Sequence, residues 1–187
     1  MNYFTKSHIF LYIVASVAIF VLYKTVSFPY NGIIKVNISK QKGSIATLDT
    51  PRKIANSQQI SVDRLFFPQS RMLSHKRLGN LGFSQNFFID AVVDMDVLEA
   101  GEYQLSVFSD DGFRIKVDEK TVCEHPQNRP YQKTQCTLHL TKAKHHFELS
   151  YFQGGGPLGL HVRYGRKGEK LYDIGKDSKY VLFKERS

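Results

Sequence analysis

A chain of 187 residues holds one domain and an appendage, and 42% hydrophobic with 23% charged residues excludes a disordered or low-complexity class. Fourteen Phe and ten Tyr, with no Trp, favour strands. The formal net charge of +9 suits an anionic partner (acidic polysaccharide, lipid headgroups) or a plainly solvated basic surface, and the lack of a dense Lys/Arg cluster interleaved with aromatics excludes nucleic acid.

Residues 1–8 form a short tail. Ile9 to Tyr23 carry no charge, and the apolar run resumes after Lys24 as far as Phe28. About 20 such residues match the hydrocarbon core of a bilayer, and Lys24 can reach the interface with its ammonium. Residues 9–28 are predicted as an uncleaved transmembrane signal-anchor. Ala15, Ser16 and Ala18 lie inside the run with Ile19 to Leu22 still to come, which is the wrong place for a signal-peptide cleavage site. Lys24, Lys35, Lys40 and Lys42 follow the span, but large domains cross largely regardless of charge. The domain is expected in the periplasm or at the cell exterior, as a single-pass membrane protein with a cytoplasmic tail.

Residues 29–59 read as a linker with a first strand at Gly32–Ile38 and a polar loop from Gln41 to Gln59. Residues 60–187 read as the domain. Strand patterns fall at Ile60–Phe67, Phe87–Met95, Tyr103–Phe108, Phe113–Val117, Gln135–Leu140, His146–Phe152, Leu158–Tyr164 and Tyr180–Phe183. In Tyr103–Phe108, Tyr103, Leu105 and Val107 share a face; after the turn, Phe113, Ile115 and Val117 share one. Many short strands divided by Gly, Pro and Asp predict an all-β antiparallel sandwich or barrel behind one helix. Cys123 and Cys136 bracket a segment with Pro126 and Pro130 and no apolar pattern. An even count in an exported chain favours a disulfide; two reduced, buried thiols are the alternative. Zinc is excluded, since His125 has no further ligands at metal spacing.

Asp110-Asp111 is the most informative pair. Two adjacent carboxylates repel, and a hard cation with several oxygen ligands removes that cost. Three stretches here resemble the PA14 domain family: Glu99-Ala-Gly-Glu-Tyr103, Ser109-Asp-Asp-Gly-Phe-Arg-Ile-Lys-Val-Asp118, and His146-Phe-Glu-Leu-Ser-Tyr-Phe-Gln-Gly-Gly-Gly-Pro-Leu-Gly-Leu160. The likeness covers about Phe87 to Tyr164 and is weak before Ser61. It implies a PA14-like β-sandwich in which two successive aspartates, joined by a cis peptide, hold Ca²⁺ while sugar hydroxyls complete its shell. Carried over, the resemblance makes Asp110 and Asp111 the anchors, with Gln153 and a carbonyl of Gly154 or Gly155 as secondary ligands. The partner it implies is a glycan or cell-surface polysaccharide. The alternative for the doublet is a hairpin turn, with Gly112 in the left-handed position. The alternative for the protein is a structural or accessory subunit that docks a larger membrane complex.

Two departures from the family stand out. Glu119 occupies a position where glycine is common. No Trp is present for stacking on a sugar, leaving Tyr131, Phe113 or Tyr172 as substitutes. His145 and His146 read as surface residues, and Asp90, Asp94, Asp96 and Glu99 as a solvated acidic strand end or a second cation site. Asp173 and Asp177 are candidates to approach the first site. No nucleophile elbow, phosphate loop or zinc-protease motif is present, and adjacent aspartates cannot flank a glycosidic bond across a cleft, so no catalysis is assigned.

Overall fold

The computed structural model describes residues 11–20 and 32–186, in two units divided between Asn31 and Gly32. In the first, residues 11–20 form a helix, α1, with Leu11, Tyr12, Ile13, Val14, Val17, Ile19 and Phe20 exposed. Among the described residues no helix is long and apolar enough to cross a membrane. The tail 1–8 and the rest of the 9–28 segment lie outside the described residues.

The second unit is two antiparallel sheets face to face, with a third, two-stranded sheet at residues 74–80. Its strands are β1 (Ile34–Gln41), β2 (Ile54–Val62), β3 (Phe66–Ser70), β4 (Ser74–His75), β5 (Gly79–Asn80), β6 (Phe87–Val97) and β7 (Gly101–Asp110). These are followed by β8 (Phe113–Val117), β9 (Lys120–His125), β10 (Gln132–Leu140), β11 (Lys144–Gln153), β12 (Leu158–Arg166), β13 (Tyr172–Asp173) and β14 (Val181–Lys184). The larger sheet runs β2-β1-β6-β11-β8-β9, with β14 continuing beside β6 where β1 ends. The smaller runs β10-β7-β12-β13, with β3 also on β12. Alternation places Ile34, Val36, Ile38, Ile89, Ala91, Val93, Phe147, Leu149 and Tyr151 inward from one sheet, against Tyr103, Leu105, Val107, Leu160, Val162 and Tyr164 from the other. Burying such side chains, at roughly 25 cal/mol per Å², is the main force holding the sheets together.

The segment predicted as linker belongs to the sandwich. β1 lies between β2 and β6, and β2 begins at Ile54, inside the predicted polar loop. As the outermost strand, β2 leaves Ile54 to Gln59 exposed, so its sequence lacks the apolar alternation that marks the others. The strand predicted at Ile60–Phe67 is two, because the chain leaves one sheet at Val62 and enters the other at Phe66. Residues 42–53 cover the outside of the larger sheet, where Ile45 and Leu48 join Phe88 and Phe152 in a second apolar cluster. Arg52 lies 4.4 Å over the Phe88 ring and clamps Asp90 at 2.5 and 2.9 Å.

β9 is absent from the sequence reading. It follows β8 through Asp118 and Glu119, which take φ of 49° and 67° with no glycine to announce the turn. The disulfide joins Cys123 of β9 to Cys136 of β10, with Cα atoms 5.7 Å apart, and so fastens the two sheets at one edge.

Candidate functional site

Asp110 closes β7 in the smaller sheet, and Phe113 opens β8 in the larger one. The acidic turn is therefore a crossover at the end of the sandwich, where β7 and β8 part, and not a hairpin. The Asp110–Asp111 peptide is cis. Gly112 is absent from the positive-φ residues; it is glycine for want of space. A Cβ there would meet the His125 carbonyl oxygen at 2.6 Å and that of Gln127 at 2.7 Å.

Both carboxylates are nearly out of water, Asp110 at 7% and Asp111 at 1% exposure. The Gly154 N–H donates to Asp111 Oδ2 at 2.7 Å, and the Arg129 N–H donates to the same carboxylate. The Tyr131 N–H donates to Asp110. These donors do not offset the burial. Burial first, and the Asp111 charge second, push Asp110 up to about 6 despite Tyr131 and the Arg129 charge. Burial likewise raises Asp111. Among the described residues neither carboxylate forms an ion pair. The one nearby guanidinium, Arg129, spends itself on hydroxyls: Ser109 Oγ at 2.6 and 3.2 Å and Thr134 Oγ1 at 2.6 Å.

Three loops wall this end. Residues 42–53 bring the Ile45 carbonyl against Gly154, where a Cβ would sit 2.8 Å from it and 3.4 Å from Asp111 Oδ2. Residues 126–131 are tied to that loop by Leu48 N to the Pro126 carbonyl at 2.8 Å, and they place Asn128 Nδ2 within 3.9 Å of the same point. The third loop carries Gln153 and the glycines. Gln153 is fully buried and faces inward. The Tyr151 hydroxyl lies 2.8 Å from Gln153 Oε1 and against the Asp110 carbonyl, with one proton to share between the two acceptors. Gln153 Nε2 donates to the carbonyls of Gly155 at 3.0 Å and Pro157 at 2.9 Å. Gln153, expected as a ligand, holds its loop through these bonds, and the Gly155 carbonyl accepts one of them. Gly154 is the residue of this loop that touches an aspartate.

The structure sorts the remaining candidates. Tyr131 stands at the site, half-buried. Phe113 is wholly buried beneath Arg129 and cannot stack on a ligand. Tyr172 pairs with Tyr164 on β13. His145 is buried, not a surface residue: its Nδ1 lies 2.6 Å from Asp118 Oδ2 and its Nε2 2.9 Å from the Thr141 carbonyl. The acidic strand end is neutralised residue by residue: Asp90 by Arg52, Asp94 by Lys144 and His146, Asp96 by Lys184, Glu99 by Arg166. Asp173 pairs with His161 and Arg64, and Asp177 caps the Phe183 N–H, so neither is spent on the doublet.

Sequence reading missed Asn128, Arg129 and the 42–53 loop, because each reaches the site from another part of the chain, and it missed the role of Tyr151, two residues from Gln153, because alternation reads it as core. The one available signal was the glycine run, which marks backbone drawn close to something else. Among the described residues no three His, Cys, Asp or Glu gather around a common point. An ion at the doublet would draw its further oxygens from backbone, amide and ligand. Two hard carboxylate oxygen donors, buried and unneutralised, fit calcium and suit no softer metal.

The family model for the PA14 domain matches residues 85–178. Among solved structures, the chain is similar to the PA14 sugar-binding domain from an RTX adhesin, at 17% identity and TM-score 0.59, over 77% of this chain and 96% of that one. It is similar to the PA14 domain of the MpAFP antifreeze protein at 13% identity and TM-score 0.61, covering 75% and 86%. It is also similar to the A domain of epithelial adhesin 9 from Candida glabrata in complex with Galβ1-3GlcNAc, at 10% identity and TM-score 0.59, covering 83% and 91%. No curated protein matches.

Proposed function

This chain belongs to the PA14 domain family, and from that premise we propose that it is a membrane-anchored extracytoplasmic module that binds carbohydrate through a calcium ion held by Asp110 and Asp111. The observation that carries the reading is the burial of two adjacent carboxylates, both held above the usual carboxylate range, with no ion pair to either among the described residues. A protein keeps such a pair at a cost in stability, and a divalent cation removes the cost. The role proposed for each group follows from its position. Asp110 and Asp111 are the anchors. The carbonyls of Gly154 and Gly155 are the further oxygens on the protein side, each also accepting one hydrogen bond, from the Asn86 N–H and from Gln153 Nε2. Tyr151 and Gln153 set the backbone that presents them. The calcium, when bound, supplies the charge that sugar hydroxyls coordinate. The chain contributes shape and hydrogen bonds around it, and the activity is binding rather than catalysis.

Support from the named structures is of the same kind: one is a sugar-binding domain, and another carries a bound disaccharide. Anchoring through residues 9–28 rests on the uncharged run Ile9–Tyr23 and on the exposed apolar side chains of α1. An exported location agrees with the disulfide. The test is calorimetric titration of the full chain in detergent against sugars chosen from a glycan array, with calcium and with chelator. Heat that appears only with calcium supports the reading. Glycan binding indifferent to chelator removes the ion, and no glycan binding at all leaves a docking subunit. Extraction of membranes at alkaline pH tests the anchor, which predicts retention in the pellet.

A further inference from the structure

We infer that the outer face of the smaller sheet is a second part of the binding surface, a row of rings leading away from Asp110 that takes the successive sugar units of an oligosaccharide. The inference rests on the reading of the doublet as a sugar site and extends it from a terminal sugar to a chain.

The row starts at the doublet. Tyr131 donates its N–H to Asp110, and its ring lies over Gly159, where a Cβ would come within 2.8 Å of the ring edge. Gly159 is the β12 partner of Asp110. The glycine is thus required by the ring above it, and the site and the row share a residue pair. From Tyr131 the next ring is Phe108, 5.9 Å away and nearly parallel at 26°. Phe108 pairs across strands with His161, at 6.3 Å and 27°. His161 pairs in turn with Phe66 of β3, with ring centroids at 4.6 Å. Phe108, His161 and Phe66 follow the hydrogen-bonding direction of the sheet, one each on β7, β12 and β3, so strand spacing sets their repeat at roughly 5 Å, and Tyr131, just before β10, links them to the doublet. All four rings are half-buried, while Val107, Ser109, Leu160 and Val162 beside them in sequence face the core.

Two features fit a glycan rather than a protein partner. The first is continuity with the doublet. The second is composition: the row is not a plain apolar patch, because polar groups interrupt it at ring level. His161 Nε2 is 2.7 Å from Asp173 Oδ1, and Asp173 Oδ2 is 3.5 Å from Arg64. Lys133 stands exposed opposite Phe108 on β10. A pyranose has an apolar C–H face and a rim of hydroxyls. Aromatic faces take the former and charged or imidazole groups the latter. A protein partner would need a broader apolar core than one ring per strand.

The test compares chain length with calcium dependence in the full chain. Gluco-, galacto- and manno-oligosaccharides, from monosaccharide to hexasaccharide, are titrated with calcium and with EDTA. The expected result is that affinity rises about tenfold or more from the monosaccharide to the longer members of the preferred series. The double variant Phe66→Ser/Phe108→Leu is expected to flatten that rise while leaving monosaccharide affinity and its calcium requirement intact. His161→Ala, which removes the central ring without touching the doublet, serves as an independent variant should the double one fold poorly. Calcium-dependent binding with no dependence on chain length overturns the row and leaves the doublet standing. A chain-length dependence that survives EDTA and is lost in the ring variants overturns the doublet and leaves the row. Binding of no member under either condition overturns both.

Discussion

Two places in this sandwich bury carboxylates, and they handle the charge in opposite ways. Asp94, on the outer face of β6, is fully buried, yet Lys144 lies 2.7 Å from one oxygen and His146 2.6 Å from the other. Burial works to raise its carboxyl, and those two partners outweigh it, leaving Asp94 below the ordinary value. Asp110 and Asp111 are buried to much the same degree but, among the described residues, accept from backbone N–H groups and form no ion pair, and both are raised. The chain has a formal net charge of +9, and none of its described cations forms an ion pair with the doublet. Even Arg129, near enough to be felt by Asp110, turns its guanidinium to Ser109 and Thr134. Burial alone therefore does not mark a site in this protein. Burial that the chain leaves unneutralised does.

The sharpest way to break the contrast is to remove the doublet's charge. Asp110→Asn with Asp111→Asn keeps the shape of both side chains and is expected to abolish calcium-dependent sugar binding, a loss of at least about a thousandfold, by calorimetry. The variant without calcium is expected to be as stable as the parent or more so, because two buried charges have gone. Calcium at 100 times its dissociation constant would stabilise the parent by about 2.7 kcal/mol and the variant not at all. A parent melting temperature indifferent to calcium would sink the cation reading. Gly154→Ala probes the same place less severely. The new Cβ would press the Ile45 carbonyl at 2.8 Å and crowd Asp111 Oδ2 at 3.4 Å, so the loop must shift. Calcium affinity is expected to fall about tenfold, with the fold retained.

The same contrast explains what could be read from sequence. The inward faces of β6, β7, β8, β11 and β12 were legible because alternation records burial directly, and Asp110-Asp111-Gly112 was legible because acidic neighbours at a strand junction are costly. Which aspartates are neutralised was not legible. Asp94 and its partner His146 are 52 residues apart, and only the register of β6 with β11 brings them opposite. The wall of the site was hidden for a related reason. Ile45 and Asn128 touch the glycine loop through packing of irregular segments, which carry no period. β2 and β9 were missed because an edge strand needs only half the hydrogen bonds and little of the apolar pattern. Glu119, where glycine was expected, proved to sit at positive φ, so there the departure from the family carries local strain.

At Asp94 the expected outcome is the reverse of that at the doublet. Asp94→Asn leaves Lys144 and His146 without their anion but with water at hand, since both are half exposed. The cost is about 1–2 kcal/mol of folding stability, by chemical denaturation at neutral pH, with calcium and sugar affinity unchanged. A fall in calcium affinity would mean that the two carboxylate sites are coupled and that the contrast is false.

Stability against pH separates the two sites in one experiment. In the calcium-free protein Asp110 binds its proton more tightly folded than unfolded, having moved from 3.8 to about 6. Between those values the native state holds more protons, so stability falls as pH rises through the window, and Asp111 adds to the same limb. Asp94 is displaced the other way. Its contribution is complete above 3.8 and is lost as pH falls below that value through its lowered one. Asp118, lowered by the His146 N–H and by His145 in spite of burial, reinforces that lower limb. The contribution of these carboxyls is therefore greatest near pH 4, while His75 and His125, lowered by burial, favour the folded state more as pH rises towards 6.5, so the upper limb is read as the difference between the parent and the double variant. The decline from there towards pH 7 is the doublet's signature in the calcium-free chain. Saturating calcium should abolish the upper limb, because the ion binds the ionised carboxylates, and should leave the lower limb where it was. Asp110→Asn with Asp111→Asn should give that flattened upper limb without calcium. An upper limb that persists in the double variant would place the raised groups elsewhere in the chain, and the doublet would lose its standing as a buried pair of like charges that the described residues leave unpaired.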